Sequence, residues 1–166
     1  MGLLAKWCKP NEVYQKITLV PFDSLYKKGY RIALLDMDNT ITKDHAVQPE
    51  DYTFSAIQTM QKEGFTCCVV SNAKSDRSAT ISKELGIACV AFAGKPSPNG
   101  IFRALELVEG KKEDAVFFGD QLFTDIAAAN RAGIYSVLIE PLYKKEVFYV
   151  KIKRPFEKIV RKMLKF

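Results

Sequence analysis

The chain has 166 residues, of which 48% are apolar and 27% charged, and a net charge of +6. That length suits one domain with a real core, and the balance excludes a disordered chain. No apolar run approaches the roughly 20 residues of a membrane-crossing helix, and the N-terminus has no long apolar leader, so the expectation is a cytoplasmic protein.

Residues 1–29 include Leu3, Leu4, Trp7, Tyr14, Leu19, Val20, Phe22 and Tyr26, apolar enough to pack on something. From Tyr30 onward short apolar runs alternate with helical patterns. Strands are expected at Arg31–Leu35, Phe65–Val70, Ala88–Ala91, Ala115–Phe118 and Tyr135–Ile139. Their unbroken apolar character suggests burial on both faces. Helices are expected at Glu50–Lys62, from a Ser75 cap to Leu85, at Ser97–Val108 and at Thr124–Ala132, with Gly64, Gly86, Gly110 and Gly133 as stops. Strict alternation of five strands and four helices implies a three-layer α/β/α domain, a Rossmann-type parallel sheet covered on both faces.

The four cysteines make no disulfide framework. Cys67 and Cys68 are adjacent within a strand and must point to opposite faces of the sheet. With one histidine, His45, a zinc cluster is excluded; His45 reads as a surface loop residue.

Charge is uneven along the chain. Residues 141–166 hold nine Lys or Arg against two acidic residues, a net +7, which leaves −1 for the rest. Pro155–Phe166 reads as a helix with Pro in its first turn. Phe156, Ile159, Val160, Met163 and Leu164 share one face, which either packs on the domain or lies on a membrane surface. The chemistry-bearing motifs end at Asp125, so this tail reads as separable from the catalytic core of about 30–140 within a single domain, 1–166.

In an open α/β sheet the chemistry lies beyond the carboxyl ends of the strands. The first expected strand runs into Asp36-Met37-Asp38-Asn39-Thr40, the second into Ser71-Asn72, and the fourth into Gly119-Asp120 with Asp125 beyond. Lys95 follows the third. Four carboxylates, a hydroxyl and a cation thus gather on one edge. Mg²⁺ would keep the carboxylates from repelling one another, and Lys95, Ser71, Asn72 and Thr40 are candidates to hold phosphate oxygens.

These residues resemble the four motifs of the haloacid dehalogenase superfamily phosphatases. DxDx[TV] matches Asp36, Asp38 and Thr40; the later Ser, Lys and GDxxxxD match Ser71, Lys95 and Gly119-Asp120 with Asp125. The resemblance covers about residues 30–140. It implies strand order 5-4-1-2-3, Asp36 as nucleophile and Asp38 as acid and base. It further implies Mg²⁺ on the Asp36 and Asp120 side chains and the Asp38 carbonyl, with Asp125 behind. Ser71 follows Asp36 by 35 positions and Lys95 follows Ser71 by 24, which leaves no room for a cap domain. The chain therefore resembles the capless class IIIA branch, and within it the phosphatidylglycerophosphate phosphatase group. The implied partner is a phosphorylated substrate, a lipid phosphate at the inner face of an anionic membrane. Soluble sugar-phosphate, nucleotide or phosphoprotein substrates are the alternative. An RNA- or ribosome-binding factor with an idle phosphatase site is another class, less favoured for lack of any RNA-module signature.

Overall fold

The computed structural model describes residues 2–73, 76–142 and 148–166, without the side chains of Leu3, Leu4 and 148–154. Helix α1 (Leu3–Cys8) leads to strand β1 (Glu12–Tyr14), a single turn of tight helix at Ile17–Leu19 and α2 (Phe22–Lys27). The alternating core follows: β2 (Ile32–Leu35), α3 (Asp51–Lys62), β3 (Thr66–Val70), α4 (Arg77–Glu84), β4 (Ala88–Val90), α5 (Asn99–Leu107), β5 (Ala115–Gly119), α6 (Ala127–Ala132) and β6 (Tyr135–Ile139). Helix α7 (Phe148–Leu164) closes the chain.

One six-stranded sheet runs β1-β6-β5-β2-β3-β4, with every pairing parallel. Without β1 this is the expected order 5-4-1-2-3, with the haloacid dehalogenase-like α/β architecture. Strand β1 is absent from the sequence reading because three residues are too short to show a period. Its register, Glu12 on Val137 and Tyr14 on Ile139, adds an edge strand beside β6. Between Asp36 and Ser71 the chain forms α3, and between Ser71 and Lys95 the one helix among the described residues is α4, so no cap is inserted at either place.

The alternation of β3 divides the core. Cys67 and Val69 join Leu35, Phe118 and Val137 under α2 and α3, where Leu25, Ile57 and Met60 are buried. Cys68 and Val70 face the other side, with Leu34, Phe117, Ile101 of α5 and Ala129 of α6. Phe117 and Phe118 are both fully buried. Truncating either to Ala would cost on the order of 3–5 kcal/mol. A third cluster gathers Cys8, Leu122, Ile126, Leu138 and Val160, with Trp7, Leu164 and Phe166 against it. The apolar N-terminal segment thus has three destinations: α1 in this third cluster, β1 in the sheet and α2 on the first face.

Several element starts differ from expectation. The Ser75 cap lies outside the described residues, and α4 begins at Arg77. Helix α5 starts at Asn99, beyond the Ser97-Pro98 turn. The segment expected as one helix from Thr124 begins instead as a wider π-turn at Leu122–Ile126, which passes into α6. Pro155 is interior to α7 and not in its first turn. Interior Pro forfeits a helical hydrogen bond; packing of the following turns compensates, since Glu157 and Val160 are buried. The expected apolar face of this helix divides. Val160 packs inward, while Phe156, Ile159 and Met163 remain exposed.

Candidate active site

The site is assembled at the carboxyl edge of the sheet. Asp36 follows β2 directly, its backbone amide bonded to the Phe118 carbonyl of β5. Its Oδ1 lies 2.6 Å from Lys95 Nζ, and Thr40 Oγ1 donates to its Oδ2 over 3.4 Å. Lys95 Nζ also reaches Asp125 Oδ1 at 2.7 Å. One ammonium therefore bridges two carboxylates, and all three groups are almost wholly buried. Burial raises the Asp36 carboxyl, the Asp125 charge adds to this and Lys95 opposes it, with the net result at about 7. For Lys95 burial works downward, but Asp125 and Asp36 outweigh it and the ammonium is held above its usual range.

Asp120 sits at the end of β5, 1% exposed. Asp36, Asp120 and Asp125 each offer a carboxylate oxygen, all within 4.8 Å of one another. Three hard oxygen donors at this spacing fit a divalent cation of the Mg²⁺ class. Both Asp125 oxygens already have partners, since the Gln121 amide donates to Oδ2 at 3.0 Å while Oδ1 meets Lys95. Gly119 permits this approach. A Cβ there would lie 2.4 Å from the Asp125 Cβ and 2.8 Å from its Oδ2. The π-turn that carries Asp125 brings both the Asp125 and Ile126 amides onto the Gln121 carbonyl; such widened turns concentrate at functional sites.

Lys95 is held from its backbone. Asn72 accepts from the Lys95 amide at 2.8 Å and donates to the Lys95 carbonyl at 2.9 Å. Through these two bonds the Asn72 side chain fixes the loop that carries the ammonium. Gly100 keeps that loop close to α5, where a Cβ would meet the Ala93 carbonyl at 2.6 Å. Ser71 is buried, its Oγ accepting from the Ala73 amide at 3.1 Å, and its hydroxyl hydrogen remains to be donated.

Asp38 has its own set of partners. Its carboxylate takes Arg77 Nη2 on both oxygens, at 2.7 and 2.6 Å, and the His45 amide on Oδ1. The His45 side chain is exposed, as expected. Arg77 also donates to the Ala46 carbonyl at 3.0 Å. Sequence reading misses Arg77, which stands 39 positions from Asp38 with no local signal to link them. It also misses Glu157. This carboxylate is 2% exposed on α7 and accepts at 2.8 Å from the amide of Leu122, two residues after Asp120 in the chain. The tail expected to be separable from the chemistry is therefore bonded to the loop of the last motif.

A haloacid dehalogenase-like hydrolase model matches residues 47–133, more than half of the chain, and the chain belongs to that family. It is 29% identical over 98% of its length to the probable phosphatase YqeG of Bacillus subtilis, covering 95% of that protein. It is 26% identical to the chloroplastic/mitochondrial phosphatidylglycerophosphate phosphatase 1 of Arabidopsis thaliana, over 82% of this chain and 42% of that one. Among solved structures, the cobalt-bound deoxy-D-mannose-octulosonate 8-phosphate phosphatase YrbI of Haemophilus influenzae superposes with a TM-score of 0.54, at 14% identity, over 82% of this chain and 90% of that one. That likeness concerns the fold. The hydrolase family and the phosphatase-named relatives together support a phosphatase. Among the described residues no helix is long and apolar enough to cross a membrane.

Proposed function

We propose that the enzyme is a Mg²⁺-dependent phosphomonoesterase that works through an aspartyl-phosphate on Asp36 and acts on a phosphate carried by a lipid headgroup of the phosphatidylglycerophosphate kind. The observation that carries the reaction is Asp36 itself, at a strand end, with a buried ammonium 2.6 Å from one oxygen and two further carboxylates close by.

In the first step an Asp36 oxygen attacks phosphorus. The ester P–O bond breaks, and the leaving oxygen takes a proton from Asp38. In the second step Asp38 takes a proton from water, the water oxygen attacks phosphorus, the Asp36–phosphorus bond breaks and phosphate departs. Lys95 Nζ and the Ser71 hydroxyl hold phosphoryl oxygens, while Thr40 orients Asp36 and Asn72 fixes Lys95. Asp36, Asp120 and the Asp38 carbonyl would hold the cation, which supplies positive charge against the phosphoryl oxygens. Asp125, with both oxygens engaged, braces Lys95 and the Gln121 turn.

Three features favour a lipid-borne substrate at an anionic membrane. The site has no cap, so a large or embedded substrate can reach it. Phe156, Ile159 and Met163 form an exposed stripe on α7, at helical spacing, with Lys158 and Lys162 on the same helix and Lys165 just beyond its end. Each basic residue near an anionic surface adds about 1 kcal/mol of attraction. Val47, in the loop after Asp38, and Phe92, in the loop leading to Lys95, are also exposed apolar side chains. The Arabidopsis relative is named for such a lipid, which supports the same reading.

The direct test measures phosphate release from lipid and soluble phosphomonoesters by wild type and Asp36→Asn. The variant should stay folded and lose turnover. Retention of a tenth of wild-type turnover would rule out the aspartyl-phosphate, and faster turnover of soluble esters than of lipid ones would rule out the lipid substrate.

A further inference from the structure

We infer that Arg77 is a specificity residue that recognises a second anionic group on the leaving alcohol, so that the preferred substrate carries negative charge on both sides of that alcohol. The inference deepens the reading of Asp38 as acid and base and rests on it.

The argument starts from where Arg77 stands. It is the first residue of α4, and its side chain is 13% exposed, against 28% for Asp38. Its guanidinium lies directly on the group assigned to protonate the leaving oxygen. Whatever is joined to that oxygen must therefore pass within reach of Arg77. Both Asp38 oxygens accept from Arg77 Nη2, so a leaving group seated against Asp38 also sits against that guanidinium and competes for its N–H groups. A neutral alcohol offers those N–H groups nothing in exchange. A phosphodiester or carboxylate a few bonds away offers a charge-assisted acceptor.

The donor inventory supports this. Arg has five N–H groups; one Nη1 hydrogen serves Ala46 and one Nη2 hydrogen is shared between the two Asp38 oxygens, which leaves Nε and one hydrogen on each Nη. The Ala46 bond pins the guanidinium to the loop beyond Asp38, so it can rotate off Asp38 without leaving the site. Lys95, the buried cation here, lies on Asp36 and Asp125 and is assigned to the transferred phosphoryl group, not to the leaving side. Arg77 is thus the described cation placed to meet a second anion on the leaving side.

The experiment compares two phosphomonoesters of matched size with full-length enzyme and Mg²⁺. One is glycerol 1-phosphate whose far hydroxyl carries a methyl phosphodiester; the other carries a methyl ether there. Wild type should prefer the anionic ester in kcat/KM by roughly 10- to 100-fold, the effect of one or two charge-assisted hydrogen bonds. Arg77→Gln should bring that ratio close to one, whatever it does to the absolute rates, and Arg77→Lys should restore part of it. A wild-type ratio near one overturns the inference on its own, even if Arg77→Gln fails to fold. Equal loss on both esters with the ratio preserved also overturns it, and leaves Arg77 a positioning residue for Asp38. Release from neither ester by wild type instead removes the phosphatase reading, and the inference with it.

Discussion

Glu157 Oε1 accepts a 2.8 Å hydrogen bond from the Leu122 amide, across 35 residues of chain. The bond joins the C-terminal helix to the turn that runs from Asp120 to Asp125. Glu157→Ala leaves that buried amide without its acceptor, which should cost about 1–3 kcal/mol of stability. It should also lower turnover of a small soluble phosphoester, because the loop carrying Asp120 loses a tether. Removal of Pro155–Phe166 should do the same, contrary to the separable tail expected from sequence. A thermal melt paired with small-ester kinetics checks both; a truncated chain with wild-type kcat and melting temperature would refute the coupling.

The carboxylate cluster predicts the metal response. Mg²⁺ should raise the melting temperature by stabilising the native state alone, and excess EDTA should abolish turnover. Asp120→Ala should remove most of the thermal shift along with the activity. Ca²⁺ should give a shift but little turnover, since its larger coordination number lets it take both oxygens of Asp36 and hold back the attack. Undiminished turnover in EDTA would dismiss the metal assignment.

Exposure of Phe156, Ile159 and Met163 beside a buried Val160 allows the two jobs of α7 to be separated. Replacing those three exposed residues by Ser should leave soluble-ester hydrolysis within about twofold, because such surface changes usually alter stability by under 0.5 kcal/mol. Activity on phosphate displayed at anionic vesicles should fall severalfold, and co-sedimentation with it. Added salt should mimic part of the loss. Unchanged vesicle binding by the triple variant would take the membrane role away from this stripe.

Glu12 ties the edge strand to its neighbours. Its carboxylate accepts from Tyr135 at 2.7 Å and Tyr14 at 2.8 Å and pairs with Lys28 at 3.2 Å. Burial pushes its pKa up, but the two hydroxyls and Lys28 outweigh that, so the pKa is lowered in the fold. A lowered acid pKa means the unfolded chain binds the proton more readily. The contribution is therefore present above the ordinary glutamate pKa and is lost as pH falls through the folded value. Glu12→Gln should destabilise the chain at neutral pH by about 1 kcal/mol and flatten the acid limb of its stability curve. Parallel denaturation curves across pH for variant and wild type would contradict this.

The strands of the core and the residues at their ends are legible because each is local. An apolar run stops, and Asp36, Ser71 or Asp120 is the next polar residue. Tyr135–Ile139 is found with its bounds as read. What sequence hides is long-range or short. Strand β1 owes its place to pairing with β6, not to any pattern of its own. Arg77 and Glu157 look like solvated charges in helices, and only the fold brings them to Asp38 and Leu122. Pro155 misleads because the first-turn rule describes a preference, and packing farther along α7 overrides it.

Cys67 and Cys68, side by side on β3, look into different layers of the molecule. Burial pushes both thiols to about 12, so in the native state neither is a useful nucleophile. A thiol reagent must wait for one layer to open, and the two sulfurs wait for different openings: Cys67 for the side under α2 and α3, Cys68 for the side under α5 and α6. Single-cysteine versions of the chain thus carry two built-in clocks, and the difference between their labelling rates measures how far one face of the sheet can breathe while the other stays shut.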